Sequence, residues 1–256
     1  MKIMLLIPLP SPEADYDPAT LKSWKDPSTH LTVTTLNPSV GPINSLETQS
    51  DEALVARDII RATYQASKEG YNALIIDCFN DPALQAARQV AGDMLVVGPC
   101  QSSFETASRL ASRYTVIIGY EFWKYATIRL LRGYGHHTDA VSFRAIEMGV
   151  EEMLNYPDET CDRIIAQSKV AVEKDGAEAI ILGCTAESGY HEKIQGEVGL
   201  PVIDPIIAAL KTAEFAGGGK VQSGWGTSRR GERVAAADEE RLFRVPYTFG
   251  ARLDVE

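Results

Sequence analysis

Residues 73–81 read ALIIDCFND. The apolar opening predicts a strand buried on both faces, as in a parallel sheet covered by helices on either side. The run stops on Asp77 and Cys78 and then turns polar. Residues 179–184, AIILGC, form a second such run and again stop on a cysteine, Cys184. The segments EGYNALIIDC (69–78) and DGAEAIILGC (175–184) align without a gap; from Cys78 to Cys184 is 106 positions, and the same offset carries VVGP (96–99) onto VIDP (202–205). Any two strand–helix–strand units share apolar residues, but the shared Gly, strand-end Cys and following Pro go further. The pattern predicts two similar α/β lobes with a site in the cleft between them, since ligands in such sheets bind outside the carboxyl ends of strands.

Outward from these runs, apolar bursts predict strands at 3–8, 31–36, 73–78, 94–98, 115–119, 140–144, 178–183 and 201–204. Helical periodicity predicts helices at 50–69, 82–92, 102–113, 122–133, 158–175, 188–197 and 205–216. The expected fold is α/β, with two pseudo-symmetric lobes, each a mainly parallel sheet flanked by helices. Lobe one takes 1–98 plus 206–216, lobe two takes 99–205, and 217–256 is a C-terminal tail or arm. That tail opens on glycines yet carries Leu242, Phe243, Val245, Tyr247 and Phe249. Docking on the body or on a neighbouring subunit and a disordered end are both open readings.

A formal charge of −10 argues against nucleic acid and anionic membranes as partners. The four cysteines form no C-x-x-C pair, so neither a disulfide framework nor a structural zinc site is expected, and a reducing cytoplasm is the expected compartment. The opening MKIMLLIPLP has no small-residue cleavage site and is read as a buried strand rather than a signal peptide. No apolar run approaches the ~20 residues of a membrane span. His136 and His137 sit in a glycine-flanked loop and complete no metal site, and no glycine-rich phosphate loop is present. Neither a metal nor a cofactor is expected; the expected partner is a small-molecule substrate.

The chemistry then rests on two strand-end thiols. A cysteine just before a helix start faces N–H groups that favour thiolate, so at least one of Cys78 and Cys184 is expected to be unusually reactive near neutral pH. Two like groups facing each other across a cleft suit stereoinversion, in which one removes a proton and the other returns one to the opposite face. Phe79, Asn80, Thr185 and Ala186 follow the cysteines and are expected at the substrate, through backbone N–H groups and through the Asn80 and Thr185 side chains. Tyr120, just after a lobe-two strand, is a further candidate. Cys100 and Cys161 are expected merely to fill space.

These residues carry a resemblance to the aspartate/glutamate/hydantoin racemase superfamily, nearest its hydantoin racemase branch, over about residues 1–216. CFNDPAL (78–84) resembles the family's C-F-G-D-P-G-L, AIILGC (179–184) its second cysteine strand, VGPINSLETQSDEAL (40–54) the branch's G-P-x-S-I-E segment, and GLPVIDPIIAALKTAE (199–214) its closing strand and helix. The resemblance implies cofactor-independent proton transfer with Cys78 and Cys184 as the acid–base pair, and a homo-oligomer. Where the branch opens with N-P-N-T-S, this chain has IPLPS (7–11); Pro8 and Pro10 cannot supply amide side chains, which leaves Ser11 as the binding candidate there. Asn80 replaces a glycine, and Thr185, Ala186 and Glu187 replace A-G-M. The expected function is a racemase or epimerase of a small cyclic ureide of hydantoin or allantoin type. Amino-acid racemase, maleate-type cis–trans isomerase, malonate decarboxylase and non-catalytic ligand-binding protein are the alternatives; the decarboxylases keep only the second cysteine.

Overall fold

A computed structural model describes residues 1–11, 16–37, 41, 43–136, 138, 141–228, 243 and 248–256. The first lobe begins with β1 (Lys2–Pro10), α1 (Pro18–Trp24), β2 (His30–Leu36) and α2 (Gln49–Lys68). It continues through β3 (Ala73–Ile76), α3 (Leu84–Val90) and β4 (Leu95–Val97) to α4 (Pro99–Leu110). The second lobe begins with β5 (Tyr114–Ile118), α5 (Lys124–Gly133), β6 (Val141–Ala145), α6 (Val150–Asn155) and α7 (Pro157–Val170). It continues through β7 (Ala179–Leu182), α8 (His191–Val198) and β8 (Val202–Ile203) to α9 (Pro205–Ser223), and β9 (Phe249–Val255) follows near the C-terminus.

The sheets run β4-β3-β1-β2-β9 and β6-β5-β7-β8. Without β9, the first matches the second read backwards, with β3 on β7, β4 on β8, β1 on β5 and β2 on β6. The offset of 106 is therefore structural: β3 maps residue for residue onto β7, and Pro99 and Pro205 both open helices. All described pairings are parallel except β2 with β9. Strands β3 and β7 are buried at every position, which is why their sequences do not alternate.

The helices after β4 and β8 exchange places. Cys100, Phe104 and Ala107 of α4 pack with β5 and β7, whereas Ile206, Ala209, Leu210 and Ala213 of α9 pack with β1 and β3. The two helices also lie against each other, so each lobe is clamped by a helix entering from the other. Cys100 is buried in this packing, and Cys161 is buried on α7.

Three elements depart from the expectations. Helix α1 is held by Asp17, whose carboxylate accepts the N–H groups of Ala19 and Thr20, with Pro18 at its first turn. Helix α6 is a short turn of six residues with a single buried side chain, Met153. Helix α9 does not stop at 216 but runs on to Ser223 through three glycines. Gly217 lies against the end of the Met1 side chain, and each glycine costs the helix about 1 kcal/mol. In the C-terminal segment, β9 extends the first sheet as an antiparallel edge and Phe243 packs on Tyr64 at 5.5 Å; Leu242, Val245 and Tyr247 lie outside the described residues. Among those residues no helix is long and apolar enough to cross a membrane.

Candidate active site

Strands β3 and β7 end at the same edge of the cleft, and their next residues, Asp77-Cys78 and Gly183-Cys184, enter a cavity of about 740 Å³, a size suited to a small molecule. Its walls include Ser11, Phe79, Asn80, Thr185 and Ala186. Seven of the eight residues expected at the site are thus together. Tyr120 is not: its hydroxyl donates to Glu152 Oε2 at 3.1 Å, and Trp123 one turn later reaches the wall. Of the expected loop, His136 packs on Phe104 at 6.0 Å, and His137 is not among the described residues. Among those residues, no group of three or more His, Cys, Asp or Glu side chains is placed to hold a metal.

The two thiols have matching surroundings. Cys78 accepts the N–H of Asn80, Cys184 accepts the N–H of Ala186, and each thiol lies within electrostatic range of other acids of the cleft. Cys184 is buried and Cys78 is partly open to the cavity. Both are pushed above the ordinary thiol pKa, chiefly by burial, and then by Glu187 for Cys184 and Glu52 for Cys78. These shifts run against the expected thiolates: the surroundings favour the neutral thiol at both cysteines. Burial outweighs the local N–H groups: Cys184 precedes only a single 3-10 turn, Thr185–Glu187, and α3 starts only at Leu84, so each thiol gains one N–H against the loss of water.

The loop after Cys78 is fastened across the lobes. Asp81 has a positive φ of 47°; its carboxylate accepts the N–H groups of Cys100 and Gln101 at 3.0 Å each and the Tyr134 hydroxyl at 2.7 Å. It thereby caps α4, whose own N-cap position, Gly98, has no side chain to offer. At the equivalent place in lobe two, Asp204 caps α9 itself. Phe79 inserts into the lobe-two core, 6.4 Å from Phe104, so it both packs and lines the cavity. The Asn80 side chain bonds Glu52 of α2. Glu47, the acid of the 40–54 segment, accepts the N–H of Val150 at 3.1 Å and so joins lobe one to α6 at the cleft.

Sequence reasoning missed Tyr16, Asp77 and Trp123 on the cavity wall. The Tyr16 hydroxyl donates to Asp77 Oδ2 at 2.9 Å. Asp77 is buried, and burial raises its carboxyl to about 6. Its signal was visible in ALIIDC, where an acid ends an otherwise apolar strand.

Residues 19–213 match the family described as Asp/Glu/Hydantoin racemase. A hydantoin racemase of Pseudomonas sp. (strain NS671) is 35% identical over 182 residues, covering 71% of this chain and 72% of that one. A hydantoin racemase of Rhizobium meliloti is 33% identical over 200 residues, covering 78% and 80%. The solved allantoin racemase from Klebsiella pneumoniae superposes with a TM-score of 0.81 over 94% of this chain and 98% of its own; at 24% identity this likeness speaks for the fold. Two pseudo-symmetric α/β lobes around one cleft, in a chain with racemase relatives, define an isomerase of the racemase type. The chain belongs to the Asp/Glu/hydantoin racemase family.

Proposed function

We propose that the protein inverts the C–H centre of a small cyclic ureide, of hydantoin or allantoin type, by proton transfer between Cys78 and Cys184. The observation that carries this reading is the pairing of the thiols: equivalent strands β3 and β7 each deliver one to the same cavity, and each accepts the N–H two residues on. Hydantoin racemases among the relatives support the ureide.

Loss of one proton from the pair leaves a thiolate on one side and a thiol on the other, because repulsion disfavours a second ionisation. The thiolate takes the substrate proton, the ring carbonyls hold the resulting negative charge, and the opposite thiol delivers its proton to the other face. The pair then has its charge on the other sulfur and is ready for the reverse enantiomer. A buried thiolate is a stronger base than one in water, which narrows the gap to a carbon acid.

The test is proton NMR in D2O with single enantiomers of benzylhydantoin, allantoin, aspartate and glutamate, followed together with optical rotation. Loss of the C–H signal with loss of rotation in a ureide is the expected result. Cys78→Ser and Cys184→Ser should each lower inversion by about 100- to 10,000-fold. Full inversion in either variant, or exchange confined to the amino acids, overturns the reading.

A further inference from the structure

The half-sites differ at the residue that precedes each cysteine. Where lobe two has Gly183 before its cysteine, lobe one has Asp77. Glycine at 183 is required, because a Cβ there would strike the Ile117 carbonyl. Asp77 is not forced by packing in this way. It is 8% exposed and lines the cavity. Tyr16 fixes Oδ2, and Oδ1 has no hydrogen-bond partner. The Thr185 hydroxyl also hydrogen-bonds the carboxyl, and Oδ1 is still left without a partner. A buried, unpartnered carboxylate oxygen is costly and calls for a partner.

Among the described residues the cavity wall offers no cation to supply one. Its described wall contains Asp17 and Asp77 but no Lys, Arg or His. Asp17 is taken up by the cap of α1. Glu47 and Glu52 add negative potential at the thiols. A substrate carboxylate entering this cleft would meet like charge in a poorly solvated space, where repulsion is strong.

We infer that Asp77, clamped by Tyr16, is a substrate-binding residue that accepts an N–H from the substrate, so that the site takes ureides with neutral donor-bearing or cationic side chains and excludes those bearing a carboxylate. The inference rests on the ureide reading above. It assigns the choice of substrate to a residue at which the half-sites differ, while the thiols carry the proton transfer.

The test uses three hydantoins whose ring carries the same two-carbon side chain ending in an ammonium, an amide or a carboxylate. Binding is measured by calorimetry and C–H exchange in D2O by NMR. The wild type should bind the ammonium and amide compounds at least about tenfold more tightly than the carboxylate. Asp77→Asn should remove most of this ranking while still binding the amide compound, which also shows that the variant is folded. Tyr16→Phe, which removes only the clamp, should weaken the ranking without a charge change; it decides the matter with the wild type should Asp77→Asn fail to fold. Equal binding of the carboxylate by the wild type, or an unchanged ranking in the folded variants, overturns the inference and leaves the ureide reading standing. The expected ranking without exchange in any compound keeps Asp77 as the selector and sinks the racemase reading for these ureides. No binding of any of the three sinks both.

Discussion

Asp81 and Gly98 form a matched pair at the start of α4: the Asp81 carboxyl occupies the space that a Cβ on Gly98 would need. The helix gives up its own N-cap side chain and takes one from the cysteine loop. Asp81→Ala should therefore destabilise the protein by roughly 2–4 kcal/mol, because two helix N–H groups and the Tyr134 hydroxyl lose their acceptor. Gly98→Ala should cost a similar amount by displacing the same carboxyl. The double variant should lose clearly less than the sum, since both changes break one contact. Urea midpoints of the four proteins check this; strict additivity would contradict the shared contact.

Ala83 has a φ of 56° at the N-cap of α3, a left-handed conformation that costs a residue with a Cβ about 1–2 kcal/mol. Ala83→Gly should relieve that strain, offset in part by the greater freedom of the unfolded chain. A gain of up to about 1 kcal/mol, read as a raised melting temperature, is expected. A lowered one would mean that the Ala83 methyl group contributes more by packing than it costs in strain.

The raised thiol pKa values give activity an alkaline dependence. Groups held above their ordinary value are protonated at neutral pH and lose the proton only as pH climbs, so the fraction with one thiolate rises with pH. kcat/KM should increase about tenfold per unit from pH 6 to 8, and alkylation of Cys78 by iodoacetamide should be slow at pH 7 and rise in parallel. A flat profile over that range would show that one thiol is already ionised.

Asp77 gives stability the opposite slope. Its folded-state carboxyl is raised to about 6 from 3.8, so the fold binds this proton more tightly than the unfolded chain does. The resulting stabilisation is full below about pH 4 and is lost as pH rises through 6. The loss is on the order of 3 kcal/mol at most. Asp77→Asn should reduce the fall in stability between pH 4 and 6 in urea titrations and leave the share of Asp81, whose carboxyl burial also raises to about 6. An unchanged slope would show that other groups set it.

Much of the frame was legible because strands buried on both faces need unbroken apolar runs, and β3 and β7 have them. The short helices were not. Helix α1 buries only Leu21 and α6 only Met153, too little for a periodic pattern, although Asp17-Pro18 marked the start of α1. Strand β9 is an edge strand with alternating exposure in a segment read as a tail. Helix α9 crosses glycines that local propensity would end it at.

The sequence by itself determined the two-fold repeat, the parallel sheets and the placing of a cysteine after each equivalent strand, because burial and chain register are written in consecutive residues. Tertiary structure decided the rest. It brought Tyr16 to Asp77 and Asp81 to α4, placed Trp123 rather than Tyr120 on the wall, and set the thiols in a buried cleft that keeps them protonated. Those outcomes depend on which distant groups meet and on how much water they exclude, and neither is encoded in local spacing.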